Sequence, residues 1–486
     1  MPDSAGRAAR RFGPAPAAPA PLGGPGATAA LLEMLAGWLP RQRWFPGRDD
    51  RPSDLALISD IALQAGYPAL RHLIVEASLR SGRARFQVLV GYRPDLPSAL
   101  QDAYIGSIGG VACYDALHDA ELADVLLHDI SEQRLAGQLR FVRAAGPPSL
   151  VRGSQTGRVL GAEQSNTSVV FGDHAILKML RRLFPGANPD LEIADALARL
   201  GSKQVAAPYG WIETDLAGEP VLLGVLSQFL AGASDGWTLA LDSLHELAGG
   251  GAAGATAGTG GAGPGPEPTG TTPFAAEARL LGQVTAELHA DLAQAFGHEE
   301  LTAAGQAGLA SAMQARLSDA IDVVPDLAAH EARIRAAYEA AGRLPGPVTV
   351  QRIHGDYHLG QVLRAPHGWV ALDFEGEPAV PLTVRRGLAP ALRDVAGMLR
   401  SFDYAARHEL VGEPADGPLA AQASGWVSQC HDAFCAGYAA GGGANPAGHR
   451  TLLRALTLDK AVYEVVYEYR HRPSWLPIPL SFVAAA

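Results

Sequence analysis

The residues best suited to chemistry lie in one short segment, QRIHGDYHLGQVLRAPHGWVALDFEGEP, residues 351–378. It holds histidine, carboxylate and amide side chains beside apolar runs, and three interpretations are open: a zinc-hydrolase site, a polar turn between core strands, or a phosphoryl-transfer site. His354 and His358 are four residues apart, so a helix would place them on one face like a zinc-binding pair. Gly355 disfavours a helix there, and no general-base Glu follows the first histidine, which argues against zinc.

The phosphoryl-transfer interpretation depends on order and spacing. Four residues separate Asp356 from Gln361, which is the spacing between the catalytic Asp of a kinase loop and its metal-binding Asn. The apolar strand WVALDFEGEP then leads into Asp373, at the position of a second metal-binding carboxylate. Asp356 is therefore the predicted catalytic base, which takes the proton of the acceptor hydroxyl. Gln361 and Asp373 are the predicted Mg²⁺ ligands.

The preceding segment GAEQSNTSVVFGDHAILKML, residues 161–180, is expected to hold the nucleotide as strand, small polar turn and two further strands. The turn would offer hydroxyl, amide and backbone N–H groups to phosphates. Its residues are Ser165, Asn166, Thr167 and Ser168. Lys178 stands where the third strand of a kinase carries its nucleotide-pairing lysine. Glu192, at the start of the next predicted helix, is its candidate ion-pair partner.

A third nucleotide contact is predicted further along the chain. The segment LSQFL, residues 226–230, resembles a kinase hinge whose backbone would hydrogen-bond adenine. Gln228, Phe229 and Leu230 are the candidate contacts. Asp235 lies just beyond, where a contact to the ribose or to the acceptor would form.

Composition limits the class of protein. A chain of 486 residues predicts two or three domains. The net charge of -11 argues against a nucleic-acid-binding surface, and no apolar run approaches the roughly 20 residues that a membrane span needs. The N-terminal stretch has no continuous apolar segment, so we expect a tail and not a signal peptide. Cys113, Cys430 and Cys435 form no metal-spaced cluster and are predicted to be reduced thiols of a cytoplasmic protein.

The elements that must position these residues fall into successive regions. Patterns of apolar residues predict a disordered tail (1–30), a small α+β cap domain (31–130), a strand-rich nucleotide-binding lobe (131–236) and a helical catalytic and acceptor-binding lobe (237–486). Within the last region, residues 249–272 form a Gly/Ala/Pro-rich insert without core-forming side chains, which predicts a flexible surface loop.

Several motifs together resemble actinobacterial maltokinases and their close relatives, the glucosamine kinases. They are QRWFPG, GAEQSNTSVVFGD, HGDYHLGQVL, DFEGEP and LDKAVYEVVYE. The resemblance covers nearly everything from Leu31 to Leu480 and implies an α+β, bilobal, aminoglycoside-phosphotransferase-like kinase fold with an N-terminal cap domain. It also implies ATP as co-substrate, Mg²⁺ as cofactor with two ions, and a free sugar as phosphoryl acceptor. We expect a monomer or a weak dimer.

The resemblance also implies further site residues. Glu375 would hold the second ion or orient the first, and His358 would contact the substrate or pack behind the loop. Candidate acceptor contacts are Arg393, Trp426, His431, Asp432 and Tyr438, with Asp394 beside the first. Lys460, Tyr463, Glu464 and Tyr467 share one face of the last long helix. They suit a carbohydrate, although core packing is the expectation for both tyrosines.

Departures from the maltokinase pattern bear on the choice of sugar. AVPLTVRRGLAPALRD lacks the Pro-Asp-Ser-Pro stretch that maltokinases tend to carry, and SQCHDAFC stands where Asn and Arg are more common. Losing a basic residue near Asp432, Glu375 and Glu377 favours a cationic acceptor. We therefore expect glucosamine, phosphorylated on its 6-hydroxyl, with maltose phosphorylated at its anomeric hydroxyl as the alternative. An aminoglycoside phosphotransferase and a pseudokinase are less favoured, the latter because every catalytic position is filled.

Overall fold

The computed structural model describes residues 24–46, 51–144, 157–161, 166–253, 272–377, 382–408, 410 and 417–485. The chain forms two compact units. The first is Met1–Asp195 with Ala206–Ala231, and the second is Ala196–Val205 with Gly232–Ala486. Residues 1–23 of the predicted tail and residues 254–271 of the predicted insert lie outside the described residues.

The first unit combines two antiparallel sheets with three helices among its described residues. In chain order its elements are α1 (Pro25–Trp38), β1 (Asp54–Gln64), β2 (Ala69–Leu79), β3 (Gly82–Arg93), β4 (Tyr104–Ile108), β5 (Val111–Asp115), α2 (Ala120–Ser131), β6 (Leu135–Ala136), β7 (Leu139–Arg143), β8 (Gly157–Val159), β9 (Asn166–Phe171), β10 (Ala175–Leu180), β11 (Arg182–Leu183), α3 (Pro189–Leu200, whose last residues belong to the second unit), β12 (Pro208–Leu216) and β13 (Glu219–Gln228).

The first sheet has the strand order β1-β2-β3-β5-β4, and β11 pairs with β3. Helix α1 covers it with Leu35 and Trp38, which share a core with Phe86 of β3. This helix begins at Pro25, where the fixed φ of proline suits the first helical turn. Residues 25–30, predicted as tail, are therefore helical.

The second sheet has the strand order β6-β7-β12-β13-β10-β9-β8. Its run of β-branched and apolar residues in β9 pairs antiparallel with β10, as in Ser168 opposite Lys178. Apolar residues from both sheets and from α2 form one hydrophobic core, which includes Ile74, Leu126 and Leu177. The two sheets of the first unit are thus packed together.

In chain order the described elements of the second unit are β14 (Ser234–Asp235), α4 (Gly236–Ala253), α5 (Pro273–Phe296), β15 (His298–Leu301), α6 (Ala303–Val323), α7 (Glu331–Ala341), β16 (Val348–Gln351), β17 (Val362–Ala365), β18 (Gly368–Ala371), α8 (Leu382–Arg385), α9 (Leu392–His408), α10 (Pro418–Ala440), α11 (Arg450–His471) and α12 (Pro477–Ala485). Strand β14 pairs with β17, which forms a hairpin with β18, and β15 pairs with β16.

Small residues allow the helices of this unit to pack closely. A Cβ added at Gly437 of α10 would lie 1.9 Å from the carbonyl oxygen of Arg279 in α5, so only glycine fits at this crossing. Helix α11 packs on α9 and ends at His471, ahead of Pro473, which cannot continue a helix. No helix in the described part of the chain is both long and apolar enough to cross a membrane.

Candidate active site

Asp356 lies in the loop that joins β16 to β17. Gly355, just before it, has a φ of 86°, a left-handed conformation that glycine adopts without steric cost. His358, two residues after it, caps the 3₁₀ turn Leu359–Gln361 because its Nδ1 accepts the N–H of Gly360 at 3.1 Å. The loop thus turns sharply on both sides of the predicted base.

His354 supports the loop from within. Its Nε2 donates to the carbonyl oxygen of Leu372 at 2.7 Å, and its Nδ1 accepts the N–H of Asp356 at 3.3 Å. Both ring nitrogens are therefore engaged, and the segment is not a helix. The zinc-hydrolase interpretation is excluded for this residue, which instead ties the base to the strand that leads into Asp373.

Asp394 of α9 holds the same loop by its backbone. Its two carboxylate oxygens accept the N–H groups of His354 at 2.8 Å and of Gly355 at 2.9 Å. His289 of α5 adds a contact from Nε2 at 3.1 Å, and its Nδ1 lies 2.9 Å from the hydroxyl of Tyr438. Burial raises the pKa of Asp394, but these hydrogen bonds outweigh it and the pKa is lowered. The buried carboxylate is thus ionised and fixes the loop.

The Asp356 carboxylate contacts a lysine that lies 104 positions further along the chain. The Nζ of Lys460, in α11, lies 2.9 Å from Oδ1 of Asp356 and 2.7 Å from Oε1 of Glu377. Burial raises the pKa of Asp356, but the charge of Lys460 more than offsets this and lowers it to about 2. Asp356 is therefore ionised at neutral pH and can accept a hydrogen bond from a hydroxyl group.

The predicted metal ligands follow the same hairpin. Asp373 comes two residues after β18 with a φ of 62°, a conformation that is strained for a non-glycine residue. A carboxylate oxygen of Asp373 and one of Glu375 lie within 4.8 Å of each other. Glu375 lies in a turn and not in the extended segment that the sequence suggested, because Gly376 has a φ of 71°. The N–H of Leu372 donates to the carbonyl of Gln361 at 2.9 Å, which ties the hairpin to the catalytic loop.

A cavity of about 430 Å³ opens at Asp356, a volume typical of small-molecule sites. One wall is the face of α11 that carries Tyr463, Glu464 and Tyr467 beside Lys460. Aromatic rings can pack on the C–H faces of a sugar, and carboxylates can accept hydrogen bonds from its hydroxyl groups. The cavity therefore offers a polyol both a stacking surface and acceptors next to the ionised Asp356.

In the first unit, Lys178 lies on β10 with its Nζ 3.7 Å from Oδ2 of Asp190. Asp190 belongs to the first turn of α3, which also holds the predicted partner Glu192. Asp190 was not predicted as a partner of Lys178. The signal was Asn188, whose side-chain oxygen accepts the N–H of Asp190 at 2.9 Å and so marks the start of the helix.

The predicted phosphate-binding turn needs correction. Asn166, Thr167 and Ser168 belong to β9 and not to a turn, since this β-prone run pairs with β10 along its length. Thr167 and Ser168 are buried, and the hydroxyl of Thr167 accepts a hydrogen bond from Arg181 at 2.9 Å. Their hydroxyl groups are therefore not available to phosphates. Ser165 lies outside the described residues.

The predicted hinge is already partly engaged. The N–H of Gln228 donates to the carbonyl of Ala207 at 2.9 Å, and that of Phe229 donates to the carbonyl of His174 at 2.9 Å. An adenine contact at this point would thus use backbone carbonyls or the N–H of Leu230.

Asp235 has a structural task of its own. Its Oδ1 accepts the N–H of Thr238 at 3.0 Å, just at the start of α4. A short polar side chain here satisfies an N–H group that the helix itself leaves without a partner. The contact makes Asp235 a helix-capping residue, which the sequence analysis did not foresee.

The chain is similar to known sugar kinases over most of its length. Residues 38–119 match the family model of the maltokinase N-terminal cap domain. The glucosamine kinase of Streptacidiphilus jiangxiensis is 32% identical over 329 residues, which cover 65% of this chain and 70% of that protein. The glucosamine kinase of Mycolicibacterium smegmatis is 31% identical over 335 residues, 66% of this chain and 77% of that protein.

This chain belongs to the maltokinase-like family of sugar kinases. A solved glucosamine kinase in complex with glucosamine, ADP and inorganic phosphate matches it with a TM-score of 0.65 and 25% identity, over 93% of this chain and 98% of that one. A second crystal form gives a TM-score of 0.65 and 26% identity over the same shares. The predicted α+β kinase fold with an N-terminal cap is confirmed, and the chain is an ATP-dependent sugar kinase.

Two acceptor residues predicted for this sugar kinase are core residues instead. Trp426 is 1% exposed, its Nε1 donates to the hydroxyl of Ser243 at 3.2 Å, and its ring stacks on Phe274. Tyr438 is also buried and contacts His289 behind the catalytic loop. Both lie on the face of α10 that packs against neighbouring helices, and neither lines the cavity at Asp356.

His431, Asp432 and Arg393 also lie outside the lining of the cavity at Asp356, whereas His358 lines it. The Nε2 of His431 donates to the carbonyl of Leu399 at 2.9 Å, and Asp432 is exposed. Arg393 forms an ion pair with Glu377 at 3.4 Å. The α10 prediction was misplaced because helical periodicity does not show which neighbour a face meets.

Of the two helices α10 and α11, α11 is the one whose aromatic residues line the cavity. Tyr463 and Tyr467, expected in the core, are at the cavity, and Tyr467 is 39% exposed. The signal was in the sequence, since Lys460, Tyr463, Glu464 and Tyr467 follow helical spacing on one face. A lysine among acidic and aromatic residues on that face distinguishes it from an ordinary apolar stripe.

Proposed function

We propose that this enzyme transfers the γ-phosphoryl group of ATP to the 6-hydroxyl of glucosamine. One observation supports the chemistry above all others: the ionised Asp356 lines a cavity of about 430 Å³ whose wall carries tyrosine rings and carboxylates. The acceptor hydroxyl donates its hydrogen bond to Asp356. As the O6–P bond forms and the bond from the γ-phosphorus to the β-phosphate oxygen breaks, the O6 proton passes to this carboxylate and ADP leaves.

The residues that hold the metal in this proposal are Asp373, Glu375 and Gln361. Their carboxylate and amide oxygens are the hard donors that Mg²⁺ prefers, and two of the carboxylate oxygens already lie within 4.8 Å of each other. Bound Mg²⁺ neutralises charge on the β- and γ-phosphates. Lys178 supplies a further positive charge to the phosphates, as the resemblance to kinases implies.

The choice of glucosamine is supported by the relatives and not by the charge argument made from the sequence. Both curated relatives are glucosamine kinases, and so is the solved structure that was bound to glucosamine and ADP. Glu377, however, is paired with Lys460 and Arg393, and Asp432 is not among the lining residues. Neither carboxylate is left to select a cationic acceptor.

Glu464 is the carboxylate best placed to meet an amino group. It lines the cavity, and its Oε2 accepts from Arg400 at 2.8 Å, whereas its Oε1 has no hydrogen bond from the described residues. Maltose is the second candidate acceptor, because residues 38–119 match the cap domain of maltokinases.

An acceptor screen tests the proposal. ATP consumption is measured with glucosamine, glucose, maltose and kanamycin as acceptors, with and without Mg²⁺, and the position of the new phosphate is assigned by NMR. We expect the highest kcat/KM with glucosamine and a product phosphorylated at O6. A preference for maltose, with a product phosphorylated at the anomeric position, would reject glucosamine in favour of the second candidate.

A further inference from the structure

We propose that Lys460 is a positioning residue of phosphoryl transfer: its ammonium group holds Oδ1 of Asp356 so that Oδ2 is presented to the acceptor hydroxyl. The proposal depends on Asp356 acting as the base, as the proposed function requires. It adds a residue from α11, 104 positions away along the chain, to a site that is otherwise built from the catalytic loop and the following hairpin.

The ammonium group is anchored on three sides. It lies 2.9 Å from Oδ1 of Asp356 and 2.7 Å from Oε1 of Glu377, and it sits 4.8 Å from the ring centre of Tyr463. The Glu377 side chain is 4% exposed and is held in turn by Arg393 at 3.4 Å. Glu377 cannot move freely, and it therefore fixes the position of the Lys460 ammonium group. The ammonium group in turn holds the Asp356 side chain in place.

The two oxygens of Asp356 therefore differ. Oδ1 accepts a hydrogen bond from Lys460 at 2.9 Å, while Nε2 of His358 lies 3.9 Å from Oδ2, beyond hydrogen-bond distance. Both Asp356 and His358 line the cavity. Oδ2 is thus the oxygen left to accept the hydroxyl proton.

The choice of side chain fits this task. Only three of the 39 basic Lys and Arg residues are lysines, namely Lys178, Lys203 and Lys460. An ammonium group is a compact charge that can donate to two carboxylates at once in different directions. A guanidinium group is a wide planar fork suited to one carboxylate held by two parallel bonds. An arginine at position 460 would keep the charge but move Asp356.

The lysine also makes Asp356 a weaker base, and phosphoryl transfer tolerates this. The transition state is loose, so the proton leaves the acceptor late and orientation contributes more than basicity. Throughout the step Lys460 stays protonated, the hydroxyl proton passes to Oδ2, and the new O–P bond forms as the bond to the leaving ADP breaks. The ammonium group then faces a neutral carboxylic acid, which favours return of the proton to solvent.

The test compares Lys460→Met and Lys460→Arg with Lys203→Met as the matched control, since Lys203 is exposed. We expect kcat to fall on the order of 100-fold in both Lys460 variants, because a misplaced catalytic group costs about that much, while KM for ATP changes little. The control keeps wild-type values. If Lys460→Met does not fold, as judged by thermal melting, Lys460→Gln takes its place.

A pH profile separates positioning from a merely structural role. The charged or titratable groups around Asp356 include Lys460, His358 and His354, and Glu377 and Tyr463 contact the same ammonium group of Lys460. Without Lys460, burial is less opposed and the pKa of Asp356 rises from about 2, so activity is lost at a higher pH as the solution is acidified. A variant that is only less stable would lose activity at all pH values without moving this limb.

Two results have distinct meanings. If Asp356→Asn is inactive and Lys460→Met has wild-type kcat and an unchanged pH profile, the Lys460 proposal is overturned and the proposed function stands. If Asp356→Asn retains wild-type turnover, the assignment of the base fails, and with it the proposed function.

Discussion

Two basic side chains with little solvent exposure, Arg181 at 0% and Lys460 at 16%, lie one in each unit and have carboxylate partners but different surroundings. Arg181 in the first unit is 0% exposed, pairs with Asp115, donates to Thr167, and lies over the ring of Trp44 at 5.0 Å. Lys460 in the second unit pairs with two carboxylates and lines a cavity. Both side chains are cations paired with carboxylates. Asp356, a partner of Lys460, lines a cavity that a ligand can enter, whereas Asp115, the partner of Arg181, is buried.

The contacts of Arg181 join the two sheets of the first unit. Asp115 ends β5 of the cap sheet, Thr167 lies in β9 of the other sheet, and Arg181 stands between β10 and β11. Gln87 of β3 reinforces the junction by donating to the carbonyl of Leu180. The comparison shows that burial of an ion pair does not by itself indicate function, whereas access to a cavity does.

The largest expected effect is that of Asp356→Asn, in the cluster of Asp356, Lys460 and Glu377 that we call the cavity cluster. The amide cannot take the acceptor proton, so we expect kcat to fall roughly 10²–10⁴-fold in an assay of ADP release. The melting temperature should stay near that of the wild type, because Lys460 keeps its contact with Glu377 at 2.7 Å. A kcat within tenfold of wild type would contradict the assignment and remove the contrast between the clusters.

Arg181→Met, in the cluster of Arg181, Asp115 and Thr167, is expected to lower stability and leave kcat nearly unchanged. Losing the guanidinium leaves Asp115 buried without its charge partner, which costs about 3–5 kcal/mol of folding free energy. Chemical denaturation measures the loss, and kcat of the folded enzyme should remain within about twofold. The exposed neighbour Arg182→Met is the matched control. Wild-type stability together with a large loss of kcat would show that the two clusters do not differ in the way described.

A smaller effect is expected from Tyr438→Phe, which tests the outer end of the support behind the loop. The change removes the hydroxyl that lies 2.9 Å from His289, while His289 keeps its contact with Asp394. One lost hydrogen bond costs about 0.5–1.5 kcal/mol, so melting should shift slightly and kcat should fall by no more than a few-fold. A loss of kcat as large as that of Asp356→Asn would instead show that Tyr438 is needed for the reaction, like the residues of the cavity cluster.

The catalytic loop was accessible to prediction because its chemistry is local. Asp356, Gln361 and Asp373 lie within one hairpin, so their order and spacing carry most of the geometry. The phosphate turn failed for the opposite reason. Thr167 and Ser168 have turn-compatible side chains, but pairing with β10 and the hydrogen bond from Arg181 draw them into a strand.

The acceptor side shows the same division. Trp426 on α10 and Tyr463 on α11 are both aromatic residues at helical spacing, and the spacing of aromatic rings does not by itself tell which ring meets a cavity. Packing of α10 against its neighbours buries the first, and the cavity at Asp356 receives the second. Inter-helix contacts of this kind depend on the whole set of helices.

By itself, the sequence determined the kinase fold with its N-terminal cap and the membership in the maltokinase-like family, because these depend on motifs whose parts are neighbours along the chain. Only the tertiary structure decided that Lys460 meets Asp356, that Arg181 joins the two sheets of the first unit, and that α11 and not α10 lines the cavity. Such contacts join residues far apart in sequence. Their strength comes from burial and charge pairing, which exist only once the chain has folded.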